Sequence, residues 1–181
     1  LGNSGLKISE ITYGNWLTHG SQVENDIATK CVHAALDAGI STFDTADVYA
    51  NTAAEQVLGD ALAGQRRESL EIFTKVYWPI GKKGPNDTGL SRKHIFDGIH
   101  GSLRRLEVDY VDLFLIHSPS SGKTGRKEMW QALEKLHREG RARSIGVRAR
   151  RLDPGASLAE QFERLVDRQG RFGVADAVVR T

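Results

Sequence analysis

The run Leu113-Phe114-Leu115-Ile116-His117 joins four large apolar residues to a histidine, and the reading of that join decides the fold. The apolar stretch begins at Tyr110 and is nearly continuous, as expected of a strand buried on both faces of a parallel sheet. Outward from it, short β-branched runs alternate with longer amphipathic ones. Ile11 to Trp16, Ser41 to Val48, Leu70 to Tyr77 and Arg143 to Val147 read as further strands. Asn25 to Ala38, Ala53 to Ala63, and a stretch capped by Ser91 and running to Glu107 read as helices. In the first of these, Ile27, Val32, Ala35 and Leu36 recur near helical spacing, and Gly39 stands where a C-terminal cap belongs. Trp130, Leu133 and Leu136 mark another helix. Beyond Arg148, Ser157 opens a helix that holds Leu158, Phe162, Leu165 and Val166, and Val174 to Val179 reads as a sixth strand. Such alternation argues for parallel βα units, because a parallel crossover takes a dozen or more residues and usually a helix.

Two parallel architectures compete. A doubly wound nucleotide-binding sheet carries a glycine-rich phosphate turn after its first strand. Here that strand is followed by Leu17-Thr18-His19-Gly20-Ser21, which does not match. The alternative is a (β/α)₈ barrel of the TIM type, whose active site collects residues from the C-terminal ends of its strands. Polar residues stand at those ends. Asp44 interrupts Thr42-Phe43-Asp44-Thr45-Ala46, Lys75 follows Ile72-Phe73-Thr74, and His117 closes the run quoted above. Tyr49 lies five residues after Asp44, in the loop leaving the second strand. In a barrel all four would open onto one mouth.

Each residue has a plainer role open to it. A strand-end aspartate caps the next turn, a loop tyrosine packs, and a strand-end histidine is often structural. A lysine between Phe73 and Val76 is harder to place, since an unpaired ammonium is costly to bury. Together the four suit an acid made usable at neutral pH. A phenol of pKa about 10 gives up its proton reluctantly, and a neighbouring ammonium favours the phenolate, drawing that pKa down. Asp44 would hold the ammonium of Lys75 charged and oriented, and His117 would donate a hydrogen bond to a substrate carbonyl. That set protonates a carbonyl oxygen as a hydride reaches its carbon. The chain has no hydride donor of its own, so a cofactor must bring it.

Composition narrows the alternatives. With 27% charged residues and a net charge of +2, the only basic concentration is the short cluster Arg141, Arg143, Arg148, Arg150 and Arg151, which argues against a nucleic-acid face. One cysteine, Cys31, excludes an intrachain disulfide, fits a reducing cytoplasm and is expected as a small buried hydrophobe. No segment approaches the roughly 20 apolar residues of a membrane span, and the N-terminal residues lack a secretory pattern. A cytoplasmic protein with no metal site and no membrane insertion is expected.

The stretches Gly14-Asn15-Trp16, Phe43-Asp44-Thr45-Ala46-Asp47-Val48-Tyr49, Thr74-Lys75 and Asp112 to His117 resemble the aldo-keto reductase signatures in order and spacing. Glu55-Gln56-Val57-Leu58-Gly59 and Gly89-Leu90-Ser91-Arg92-Lys93-His94-Ile95 are similar to the branch that holds potassium-channel β-subunits and their bacterial relatives. The resemblance covers roughly residues 1 to 147. It implies a (β/α)₈ barrel, NADPH extended across the mouth, and reduction of small-molecule aldehydes or ketones. It implies a catalytic tetrad of Asp44, Tyr49, Lys75 and His117, with Tyr49 as the acid. It also implies that Gly14, Asn15, Trp16 and Asp44 lie against the cofactor. A channel-associated binding subunit and a half-barrel without a cofactor site are the rival readings.

The pattern departs from the family after Ile145-Gly146-Val147. A Ser-Asn or similar pair that holds the nicotinamide amide is expected there, and the chain has Arg148-Ala149-Arg150-Arg151. Residues 1–181 are therefore expected to form one partial barrel domain of five to six βα units, with a divergent tail over 148–181. A full barrel takes about 250 residues. The shortfall is explained by truncation, by omitted segments of a longer protein, or by homo-oligomers of half-barrels that close one another.

Overall fold

The structure, a computed structural model, describes residues 4–118, 127–148 and 177–179. In chain order the elements are β1 (Thr12–Gly14), α1 (Asn25–Asp37), β2 (Thr42–Asp44), α2 (Ala53–Leu62), β3 (Glu71–Val76), α3 (Arg92–Leu106), β4 (Val111–Ile116), α4 (Lys127–Arg138), β5 (Ala142–Arg148) and β6 (Ala177–Val179). Every strand pairs in parallel with the one before it, giving the order β1-β2-β3-β4-β5-β6. A doubly wound sheet reverses direction at a switch point, and this sheet does not. Uniform order with right-handed crossovers lays the helices along one face, as in the wall of a (β/α)₈ barrel. The sheet is thus part of that fold, as the alternation in the sequence led us to expect.

The two faces of the sheet are chemically distinct. Phe43, Ile72, Val76, Phe114, Ile116, Ile145 and Val147 point toward the helices and pack with Val32, Leu58, Ile95, Ile99, Leu133 and Leu136. Phe73, Leu113 and Leu115 point the other way and form a separate inner cluster, with Leu6 packed against it. This two-residue alternation fixes where every polar residue on β3, β4 and β5 faces.

Element ends follow local chemistry. Ser91 caps α3 by accepting the His94 amide at 3.2 Å, as its position suggested. Gly39 takes φ +82° just beyond α1 and donates to the Leu36 carbonyl at 2.9 Å, a left-handed turn that costs glycine nothing. β2 is shorter than the expected 41–48, although its continuation still bonds β3 through Thr45 N to Phe73 O and Asp47 N to Lys75 O. The helix expected over 157–170 lies outside the described residues, and the last three residues of the expected 174–179 strand form β6.

One expectation is overturned. Cys31 is exposed and Ile27 is 44% exposed, so neither belongs to the buried stripe of α1. That stripe is Ala28, Val32 and Ala35, spaced four and three apart. Cys31 and Ile27 each precede a stripe residue, and one residue back on a helix is roughly 100° of rotation. Among the described residues, no helix is long and apolar enough to cross a membrane.

α2 and α3 meet closely at Gly59, where an added Cβ would stand 2.6 Å from the Arg105 carbonyl oxygen and 3.0 Å from Leu106 Cα. Both obstacles are backbone, which cannot swing aside. Gly59→Ala is therefore expected to destabilise the chain by about 1–3 kcal/mol through overpacking. The check is a lower urea midpoint with an unchanged m value. An unchanged midpoint would mean that the helices separate at little cost.

Candidate active site

Lys75 sits next to last in β3 with its side chain on the inner face, 1% exposed. An ammonium has three N–H donors, and here three oxygens receive them. Nζ donates to Asp44 Oδ2 at 2.7 Å, to the Thr45 carbonyl at 2.7 Å and to the Tyr49 hydroxyl at 3.5 Å. Asp44 closes β2, which pairs directly with β3, so the ion pair crosses a single strand gap. The Tyr49 ring meets the His117 ring edge-on, with centroids 5.6 Å apart at 80°. Trp16, 65% exposed, stands with its ring 6.3 Å from that of Tyr49. Asp44, Tyr49, Lys75 and His117 thus come together, with Trp16 at their margin.

The residues beside Trp16 have different places. Gly14 ends β1 opposite Asp44, and a Cβ there would meet nothing within 4 Å. The Asn15 side chain is wholly buried and turned toward α2, donating to the Ala54 carbonyl at 3.0 Å with His19 Nδ1 at 3.4 Å. Asn15 is therefore not brought to the mouth with the others; it anchors the loop that carries Trp16.

Tyr49 is placed by unusual backbone. It opens a 3-10 turn (Tyr49–Thr52) in which Ala50, Asn51 and Thr52 have φ of 48°, 50° and 84°. Three successive non-glycine residues in the left-handed region are strained. Two bonds oppose that strain: the Tyr49 amide donates to the Ala46 carbonyl at 3.1 Å, and Asn51 Oδ1 accepts the Gly81 amide at 2.7 Å. Strain of this kind persists where surrounding structure over-determines it.

The electrostatics correct the argument made from sequence. The Tyr49 phenol is pushed up to about 12, chiefly by burial and next by the Asp44 carboxylate, with Asp47 adding and Arg148 opposing. The expected lowering by an adjacent ammonium is not the outcome, because burial disfavours the phenolate and the Asp44 carboxylate opposes it further. Lys75 is itself shifted down, by burial first and by Arg148, against the pull of Asp44. Tyr49 is consequently fully protonated at neutral pH.

Behind this group lies a second polar layer that the sequence did not reveal. Glu55 on α2 is wholly buried; its Oε1 accepts from Thr74 Oγ1 at 2.5 Å and its Oε2 from Arg105 Nε on α3 at 2.7 Å. Thr74 precedes Lys75 on β3 and points outward. Asp47 is also wholly buried, and among the described residues it makes no salt bridge. Its carboxyl is pushed up to about 8, mainly by burial and then by Glu55, against Arg105, the Val48 amide and Lys75. An acidic residue within an otherwise apolar helix face was the available signal for Glu55. Arg148 was legible only as a departure, although two-residue alternation along β5 turns it inward.

One observation bears on a cofactor. Asp44 Oδ2 is taken by Lys75, while buried Oδ1 has no hydrogen-bond partner among the described residues. An acceptor so placed, across from Gly14 of β1, fits a hydroxyl donor such as a ribose. Lys75 is bonded to the same carboxylate and reaches Tyr49, whose ring meets His117.

Residues 10–173 match the Aldo/keto reductase family. The chain is 47% identical over 123 residues to a protein of Oryza sativa subsp. japonica named “Probable voltage-gated potassium channel subunit beta”. It is 46% identical over 123 residues to one of that name from Arabidopsis thaliana. It is 43% identical over 145 residues to a protein of Schizosaccharomyces pombe provisionally named as the same subunit. These alignments cover 67%, 67% and 78% of this chain but only 37%, 37% and 42% of those proteins. The chain therefore spans less than half the length of these relatives.

The Asp47 carboxyl gives a pH test. Its folded pKa of about 8 lies above the unfolded value near 4, so its contribution is full below about pH 4 and is lost as pH rises through about 8. Between pH 5 and 8 the wild-type chain should lose stability with a slope approaching about 1.4 kcal/mol per pH unit from this group. Asp47→Asn, which cannot ionise, should flatten that slope in urea melts at a series of pH values. Identical slopes for the two proteins would show that Asp47 ionises freely in the fold.

Proposed function

This chain belongs to the aldo/keto reductase family, and we propose that it carries the catalytic strands of an NADPH-dependent reductase of aldehydes and ketones. The observation that carries the proposal is the single Lys75 ammonium, 2.7 Å from Asp44 Oδ2 and 3.5 Å from the Tyr49 hydroxyl. Gly14, Trp16 and Asp44 would hold the nicotinamide half of NADPH, which when bound supplies the hydride. The substrate is a small carbonyl compound met in the cytoplasm.

The roles follow from the geometry. Tyr49 stores a proton that bulk water cannot remove at neutral pH, because its pKa is pushed up to about 12. An alkoxide is a far stronger base than a phenolate, so Tyr49 gives its proton to the substrate oxygen once negative charge develops there. Lys75 receives the resulting phenolate within hydrogen-bond reach. Asp44 holds Lys75 charged, and His117, edge-on to the Tyr49 ring, donates to the same substrate oxygen. Trp16 flanks the reacting group and narrows its access to water. Residues 1–181 form one partial barrel domain in this reading, with 148–181 its divergent tail.

The names of the relatives favour a second reading, in which the chain associates with a potassium channel and turns substrate over slowly. In that case the loss of Tyr49 chemistry leaves the association untouched.

Tyr49→Phe removes the proton donor and little else. It is expected to lower kcat by about 100-fold or more, with NADPH affinity nearly unchanged in a fluorescence titration reported by Trp16 and Trp78. Turnover retained in Tyr49→Phe removes Tyr49 from the role of acid. No NADPH binding by the wild-type chain removes the reductase reading itself.

A further inference from the structure

We propose that Asp47 is a positioning residue for the reduction, a buried carboxyl whose charge state governs how readily Tyr49 gives up its proton; the proposal rests on the reductase reading above. Charge around the end of β3 does not balance. The carboxyl groups of Asp44, Asp47 and Glu55 share these surroundings with the cations of Lys75 and Arg105. Asp44 holds Lys75 at 2.7 Å, and Glu55 holds Arg105 at 2.7 Å. Asp47 is the carboxyl left over. It is wholly buried, and neither of its side-chain oxygens has a hydrogen-bond partner among the described residues.

Its place is fixed by its neighbours. The Asp47 amide donates to the Lys75 carbonyl at 3.2 Å, which ties it to β3. A Cβ on Gly98 of α3 would stand 3.7 Å from Asp47 Oδ2 and 2.6 Å from Val76 Cγ2, so that helix passes close by the carboxyl. Tyr49 follows two residues later, its own amide bonded to the Ala46 carbonyl at 3.1 Å. An anion without donors is costly in such a place, and the neutral acid avoids that cost. The facing charges agree. Burial and Glu55 of α2 oppose ionisation, Arg105 of α3, the Val48 amide and Lys75 favour it, and the carboxyl is pushed up to about 8. The Asp47 anion in turn makes the Tyr49 phenol hold its proton more firmly, adding to Asp44 and acting against Arg148. At neutral pH Asp47 therefore brings no negative charge to the place where the phenolate forms. Above about pH 8 it does, and proton transfer from Tyr49 to the substrate oxygen is opposed.

The test follows reduction of butanal and benzaldehyde at saturating NADPH over a pH series from about 6 to about 10. The wild-type kcat is expected to fall by about threefold or more as pH rises through about 8, with little change in KM. Asp47→Asn cannot ionise, and it is expected to lose that fall or to move it to higher pH. Asp47→Glu keeps an ionisable carboxyl and is expected to restore it. Folding of both variants is checked by circular dichroism, and the readout is the shape of each profile rather than its height. Carbon-13 NMR of the wild type should show an aspartate carboxyl titrating through about pH 8; no such resonance overturns the proposal without recourse to a variant. A wild-type profile without the fall, or the same fall in Asp47→Asn, overturns the role of Asp47 alone. No turnover by the wild type at any pH, with that resonance present, overturns the reductase reading instead.

Discussion

Lys75 carries its ammonium at 1% exposure, so folding must replace its hydration shell with protein oxygens in the right directions. That requirement propagates outward. Asp44 must end β2 one strand away, the Thr45 carbonyl must turn inward, and the chain must then double back within four residues to bring the Tyr49 hydroxyl into reach. The Tyr49 amide, bonded to the Ala46 carbonyl, closes that turn, and the left-handed path through Ala50, Asn51 and Thr52 leads the chain on into α2. A parallel sheet supplies the geometry because adjacent strands share direction, and so their C-terminal ends share a mouth.

The ion pair at the mouth does not stand alone. Glu55 and Arg105 form a second buried pair on the opposite face of β3, joined to that strand through Thr74. Thr74 and Lys75 are consecutive and point to opposite faces. One short strand thus couples the inner group to the two outer helices, and the spacing of α2 from α3 is set in part by the Glu55 to Arg105 contact and by the absence of a side chain at Gly59. Movement of either helix would be felt at Thr74, one residue from the ammonium.

Much of this was legible in the sequence where local pattern is strong. The strands were found because runs such as Leu113 to Ile116 are too apolar for any surface element, and Asp44, Lys75 and His117 stood out because polar residues interrupt those runs at their ends. What escaped was of three kinds. The buried face of α1 was misassigned because Ile27 and Cys31 are apolar but sit one residue off the stripe of Ala28, Val32 and Ala35, and small alanines give a weak signal. The Tyr49 pKa went the other way because proximity of an ammonium is visible in a motif, whereas burial and the opposing Asp44 charge belong to the folded state. Asn15, Glu55 and Asp47 hold partners or burial that depend on residues up to 50 positions away, as the Arg105 to Glu55 bond shows, and the acidic residue on the apolar face of α2 was the one local sign of them.

The strictly sequential order of the strands has a consequence for biosynthesis. Each strand pairs with the one made just before it, so a newly emerged βα unit finds its docking edge already present beside the ribosome. Domains tend to form from the N-terminal side during synthesis, and here the β2–β3 pairing and the Lys75–Asp44 ion pair involve only residues up to Val76. Asp44, Tyr49, Lys75 and His117 all lie within the first 117 positions. Nascent chains can therefore bring these four residues together before β5 and β6 have been translated.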